Sequence, residues 1–220
     1  MSITLKQVKN NAEIKAYIQH ADKSLAALGF TEHSLAHVTK CAVIARRILL
    51  ETGHGEREAE LAAIAAYLHD IGNMVNRNGH ERSGALMAFT LLRDMGASPD
   101  DIATIITAIG HHDESTAFPV NDVAAALILA DKTDVRSTRV RSKDTILFDI
   151  HDRVNYAVKE SEVVLTMEDK IISLVLSIDT TVSTISEYFE IFLSRMMLCR
   201  RAAERLGLRF ALVINGQSMM

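Results

Sequence analysis

Apolar residues recur every three or four positions through most of the first 135 residues, the period of helices that bury one face. From about Thr4 to Leu28 this pattern sets Leu5, Val8, Ile14, Ile18 and Leu25 on one side of a single helix, closed by Gly29. A second helix is expected from about Ser34 to Leu50, with Val38, Cys41, Ala45, Ile48 and Leu49 inward. The next, Glu56 to Asp70, is small and apolar on nearly all sides of its middle and belongs at the centre of the fold, with Gly72 ending it. A polar loop from Asn73 to Gly79 leads to a helix from about His80 to Met95. Ser98 as cap, Pro99 at the first helical position and Asp101 at the capping-box position then start a helix that runs to about His112. After a loop through Phe118-Pro119, Asn121 caps a last helix from Asp122 to about Val135.

Beyond residue 143 the period changes. Ile172, Leu174, Leu176 and Ile178 alternate with Ser173, Val175, Ser177 and Asp179, the two-residue repeat of a strand with one buried face. Glu162 to Met167 reads as its hairpin partner, turning at Glu168-Asp169. Val182, Ile185, Phe189, Phe192, Met196, Cys199, Ala203 and Leu206 stripe one long helix, Gly207 ends it, and Leu208 to Ile214 is a final strand. The chain therefore divides into a helical domain, 1–143, and a small β-β-α-β module, 144–220. The stripe is either the face packed on the strands or the seam of a homodimer, which uses the same spacing.

Composition narrows the functional classes. With 220 residues, 48% apolar and 24% charged, the chain can build a packed core. A net charge of −4 argues against a general nucleic-acid binder, which must neutralise many phosphates. No apolar run approaches the ~18 residues of a membrane span, and Met1 to Lys6 lacks the basic start and apolar run of a signal peptide, so a cytoplasmic protein is expected. Cys41 and Cys199, far apart in apolar stretches, read as reduced core residues.

Chemistry enters with an ordered set of polar residues near helix ends: His37, His69-Asp70, His80, His111-His112 and Asp131. Imidazole and carboxylate are ligands that Fe, Mn, Co, Ni and Zn accept. Neighbouring residues on a helix point ~100° apart, so His69 and Asp70 can reach one centre, and a carboxylate has two oxygens with which to bridge. A lone histidine is more often a surface or hydrogen-bonded residue, the reading given to His20, His54 and His151. A His-Asp dipeptide alone is common by chance. It is the complete order that points to metal.

That order resembles the signature of the HD superfamily of metal-dependent phosphohydrolases over about residues 30 to 136. Leu68-His69-Asp70-Ile71-Gly72 and Leu129-Ala130-Asp131-Lys132 match its two most specific blocks. His111-His112-Asp113-Glu114 with Phe118-Pro119 is similar to the HH-E…YP block of HD-GYP phosphodiesterases, without the full GYP triplet. The resemblance implies a mostly α fold, an HD-domain helical core carrying the small C-terminal α+β module. It also implies two divalent transition-metal ions. His37, His69, Asp70 and Asp131 would hold the first, and His80, His111 and His112 the second, with Asp70 bridging. The family's first histidine falls on His33 or His37, one helical turn apart. The placement of Lys40, Cys41 and Ala45 favours His37 and leaves His33 on the substrate side.

The implied activity is hydrolysis of a phosphomonoester or phosphodiester, nucleotide-like or another phosphorylated small molecule, by a metal-bound hydroxide, with Asp70 and Lys132 as catalytic residues. A di-iron oxygenase on the same ligands, or a non-catalytic nucleotide- or effector-binding regulator, are the alternatives. Lys132, Arg136, Arg139, Arg141 and Lys143 follow Asp131 closely. Lys132 and Arg136, one turn apart, suit contact with substrate phosphate. Arg139 to Lys143 read equally as a solvated rim, and Asp134 as an ion-pair partner.

Overall fold

The computed structural model describes residues 2–141 and 149–220, so Lys143 and the expected 143/144 boundary lie outside the described residues. The first expected helix is two helices, α1 (Leu5–Asn10) and α2 (Ala12–Ala27). Asn11 breaks them: it turns extended, and its side-chain oxygen accepts hydrogen bonds from the Glu13 and Ile14 amides. Asparagine serves a cap better than a helix interior, and here that preference wins. The break leaves the apolar side intact, with Val8, Ile14, Ile18 and Leu25 all buried.

Next come α3 (Leu35–Glu51), α4 (Glu56–Leu68), a 3-10 turn (Ile71–Met74), α5 (His80–Asp94), α6 (Pro99–Gly110) and α7 (Asp122–Lys132). Ser98 and Asn121 cap α6 and α7 as the sequence predicts, accepting from the Asp101 and Ala124 amides. Two helices are central: α4 is buried from Leu61 to Leu68, and α7 from Val123 to Lys132. Around them pack α3, α6 and the later helix α9. Helix α7 stops three residues before the expected Val135, because the chain turns at Thr133 and carries the Asp134 carboxylate back to His37 on α3.

Helix α4 likewise ends at Leu68, and His69 and Asp70 form the tight link into the 3-10 turn. Gly72 sits inside that turn, where its function is close approach rather than helix termination. A Cβ there would fall 2.0 Å from the His80 carbonyl oxygen and 2.5 Å from the Gly84 amide nitrogen. Gly72→Ala must push the first turn of α5 away, and His80 with it. Thermal denaturation should show a loss of about 1–3 kcal/mol or more, as for other overpacked sites, accompanied by reduced metal content. Gly84→Ala, where the tightest contact is 3.2 Å, should be milder.

The C-terminal part contains α8 (Ile150–Ala157), β1 (Val158–Thr166), β2 (Ile171–Ile178), α9 (Ile185–Arg205), β3 (Arg209–Ile214) and β4 (Gln217–Ser218). Helix α8 and strand β4 extend the expected β-β-α-β order, and β1 begins four residues before Glu162. Asp149 caps α8, accepting from the His151 and Asp152 amides. The Asn215-Gly216 pair, at φ +50° and +78°, makes the tight turn into β4. The sheet order is β1-β2-β3-β4, with β2 and β3 parallel across α9 and the outer pairs antiparallel. Of the expected stripe Phe192, Met196, Cys199 and Ala203 are buried, while Tyr188 rather than half-buried Phe189 is the buried aromatic one turn earlier, and the helix packs against both α7 and β3. Apolar packing is continuous from Ile3 to Ile214. Among the described residues, no helix is long and apolar enough to cross a membrane.

Candidate metal centre

Five histidines, two in helices and three at or near helix ends, form a ladder of edge-on rings: His33, His37, His69, His112 and His80, with successive centroids 5.5, 5.3, 4.9 and 5.0 Å apart. The last four are buried, as are Asp70 and Asp131. His37 comes from α3, His69 and Asp70 from the end of α4, His80 from the first residue of α5, His112 from just past α6, and Asp131 from α7. The two all-apolar central helices thus deliver carboxylates and imidazole to one point in a rigid frame.

Each ring is oriented by a partner behind it. His69 Nδ1 lies 2.8 Å from the Ala66 carbonyl oxygen, His80 Nδ1 3.0 Å from that of Arg77, and His112 Nδ1 2.6 Å from that of Ile109. His37 Nδ1 lies 2.8 Å from Asp134 Oδ2. All four partners only accept, so each Nδ1 carries the hydrogen and each Nε2 faces the centre. Such outer partners set the tautomer of metal-binding histidines.

What the Nε2 atoms meet is carboxylate. His37 and His69 lie 3.6 and 3.1 Å from Asp70 Oδ2, and 3.4 and 3.6 Å from Asp131 Oδ1. His80 lies 3.6 Å from the other Asp70 oxygen, Oδ1. Asp70 therefore faces one histidine pair with one oxygen and the opposite side with the other. Ligand atoms of His37, His69 and Asp70 lie within 4.8 Å of one another, as do those of His37, Cys41 and Asp131, those of His69, His112 and Asp131, and those of Asp70, His80 and His112.

The residues fit a metal on two further observations. His69 Nε2 and Asp70 Oδ2 are buried 3.1 Å apart, and among the described residues neither has a partner in hydrogen-bond geometry, so their mutual charge attraction leaves directional bonding unmet, a cost of roughly 1–3 kcal/mol for a buried polar atom. His80 and His112 present their Nε2 atoms to each other at 3.2 Å. With both Nδ1 atoms protonated, two lone pairs face each other; Arg77 Nη1, 3.3 Å from His80 Nε2, supplies a cationic donor on one side, and a metal ion between the rings would relieve both.

Electrostatics completes the description. Burial lowers the His69 pKa, but the Asp70 and Asp131 carboxylates outweigh it and raise the value to about 10. Burial and the neighbouring His69 and Lys132 charges bring His112 down to about 3. Asp131 is held well below the usual carboxylate range against its burial, by Lys132 and His69. A metal must therefore displace a proton from His69 at neutral pH. Metal uptake should release about one proton near pH 7, and affinity should rise about tenfold per pH unit up to about pH 10. Calorimetric titration in buffers of different ionisation enthalpy measures this; uptake without proton release would show that His69 is not displaced.

The other sequence candidates separate clearly. His33 is partly buried, lines the cavity in front of the centre and belongs to none of the ligand clusters, whereas His37 belongs to two. Lys132 is buried on the cavity wall, with Nζ 2.6 Å from Asp131 Oδ2. His111 is not brought to the cluster: its Nδ1 bonds the Thr107 carbonyl, and it neither joins a ligand group nor lines the cavity. Arg136 is turned away, donating to Asp134 at 2.9 Å and pairing with Glu32 at 3.5 Å. Arg139 lines the cavity instead, its guanidinium bonded to the Glu32 and Asp134 carbonyls. Arg141 is exposed, as the rim reading expects, and it also ties down the loop after α2 through the Phe30 and Thr31 carbonyls and Asp22.

Sequence reading missed Asn73, whose Nδ2 donates to Asp70 Oδ1 at 2.8 Å, and the cavity residues Arg77 and Arg195. It placed Asp134 in an ion pair without seeing that the pair steers His37. The i+3 spacing of Asn73 from Asp70 was the only signal available for these; the rest depend on tertiary approach.

A family model described as HD domain matches residues 32–155, more than half of the chain, and the chain belongs to that family, which lies within a superfamily of metal-dependent phosphohydrolases. No curated protein and no solved structure matches the chain.

Proposed function

We propose that the protein hydrolyses a phosphomonoester or phosphodiester of a small molecule at two divalent ions that share Asp70. The observation that carries this reading is the two-sided placement of Asp70 between His37 with His69 and His80 with His112, at the floor of a cavity of about 600 Å³. The nitrogen and oxygen donors suit Mn, Fe, Co, Ni or Zn. Ions held there would supply Lewis acidity toward a phosphoryl oxygen and make water acidic enough to attack at neutral pH.

The chain's own residues do the rest. Asn73 holds Asp70 Oδ1, and Asp134 holds the His37 ring. Lys132, between Asp131 and Glu114, sets a buried positive charge beside the place where phosphoryl oxygens gain charge. His33 stays neutral at pH 7, because burial and Arg139 keep its pKa well below the usual value, so its ring serves as a hydrogen-bonding group at the cavity wall.

A screen of phosphorylated metabolites with metal-loaded protein tests the proposal. Ester cleavage, read as phosphate from monoesters and as monoester from diesters, should require the metal, and Lys132→Ala should lower kcat/KM by roughly a hundredfold, as for loss of one charge-stabilising group, with metal content unchanged. Metal bound but no ester hydrolysed would leave the regulator reading.

A further inference from the structure

We infer that the substrate carries a second anionic group besides the phosphoryl group at the ions, and that Arg195 of α9 grips it. The inference rests on the hydrolase reading only for where the first phosphoryl group lies.

Arg195 lines the cavity from the C-terminal layer. Its Nε donates to Glu114 Oε1 at 2.6 Å, and its guanidinium lies 4.5 Å from the ring centroid of buried Phe192. Its two terminal nitrogens make no hydrogen bond among the described residues. A purely structural arginine would turn its fork onto Glu114, since bidentate geometry is the stronger one. Here one nitrogen is anchored, the plane is fixed by the aromatic ring, and the paired end is left over.

Of the other cations that line the cavity, Arg139 and Lys132 are more committed, while Arg77 meets its partners through Nη1 alone and lies at the His80 edge of the ion site rather than beyond it. Arg139 is spent on the Glu32 and Asp134 carbonyls, Arg77 bonds Asn73 and His80, and Lys132 is paired with Asp131. Lys132 and Glu114 stand between Asp131 and Arg195, through links of 2.6, 4.0 and 2.6 Å. An anion on Arg195 is therefore a different group from the phosphoryl group beside Asp70 and Asp131. The chemical class is a bisphosphate, or a phosphate ester whose alcohol bears a carboxylate or second phosphate.

The test is calorimetric binding to the metal-loaded full chain of methylphosphonate and of ethylene-, propylene- and butylene-bisphosphonate, with metal content checked afterwards. At least one bisphosphonate should bind about ten- to a hundredfold tighter than methylphosphonate, the worth of a charge-assisted hydrogen-bonded pair. Arg195→Gln should erase that preference while leaving methylphosphonate affinity within about threefold. Arg195→Lys should keep part of it, and Arg200→Gln, an exposed change on the same helix paired with Glu204, should keep all of it. No preference in the native protein, or a preference that survives Arg195→Gln, would overturn the inference. An Arg195-dependent preference in a protein that hydrolyses no ester would sink the hydrolase reading and leave the two-anion grip standing.

Discussion

Asp70→Asn is expected to empty both halves of the metal centre while the helical body stays folded. Asp70 is the residue on which the ligand groups on either side converge: Oδ2 serves the His37 and His69 side, and Oδ1 the His80 side. An amide keeps the shape but loses the charge and one acceptor, so the His80 side loses its Asp70 carboxylate and the His37 side keeps only that of Asp131. Elemental analysis of the purified variant should find almost no transition metal. His80→Ala and His112→Ala should each deplete mainly one ion, and His37→Ala mainly the other. His111→Ala should leave metal content near the native value, since its ring is bonded to the Thr107 carbonyl and stands outside the ligand clusters. If His111→Ala loses as much metal as His112→Ala, His111 belongs to the ligand set after all.

The second large effect is expected at Asp134, a fully buried carboxylate that touches no candidate metal position. It accepts from His37 Nδ1 at 2.8 Å and Arg136 Nε at 2.9 Å, pairs with Lys40 at 2.8 Å, and lies 3.8 Å from Arg139. Asp134→Ala leaves these donors facing one another without an acceptor. Breaking a buried charge cluster in this way costs about 3–5 kcal/mol, which at about 2–4 °C per kcal/mol lowers Tm by roughly 10 °C. Metal affinity should also fall about ten- to a hundredfold, because the His37 ring loses its orienting partner. Burial alone would raise the Asp134 pKa, but His37, Arg139 and Arg136 hold it far below the usual carboxylate range. A depressed pKa gives stability that is present above the unfolded value of about 4 and is lost on acidification toward the folded value. The Tm gap between native and variant should thus be constant from about pH 5 to 8 and narrow in acid. A variant with native Tm and native metal affinity would show that the cluster orients nothing.

How much of this was legible in the sequence follows from where each signal lives. The centrality of α4 and α7 is visible because a helix apolar on all sides has nowhere else to go. His69, Asp70 and Asp131 stand out at the ends of those same helices, where a polar residue needs a partner. Asn11 was invisible as a break, since the apolar side continues through it in phase. Helix α8 is eight residues long with few apolar positions, too short for a period to register. The His111-His112 pair could not be resolved: two adjacent residues at a helix end point ~100° apart, and only the approach of α5 decides that His112 is the one facing His80. Arg136 and Arg139 exchanged roles because α7 ends at Lys132, which rotates everything after it. Asn73 reaches Asp70 at a local i+3 spacing, whereas Asp134 and Arg195 act through contacts across the fold that no spacing along the chain encodes.

The most direct test of the central claim is hydrolysis in heavy-oxygen water. Metal-loaded protein, given an ester that it turns over, should release phosphate from a monoester, or a phosphomonoester from a diester, carrying one solvent oxygen per cleavage, with no phosphorylated protein trapped on rapid quenching. The cysteines offer no competing nucleophile: burial pushes the Cys41 thiol well up and the Cys199 thiol to about 12. Oxygen consumption without hydrolysis of a phosphate ester, or product released from a covalent phospho-enzyme, would contradict the account.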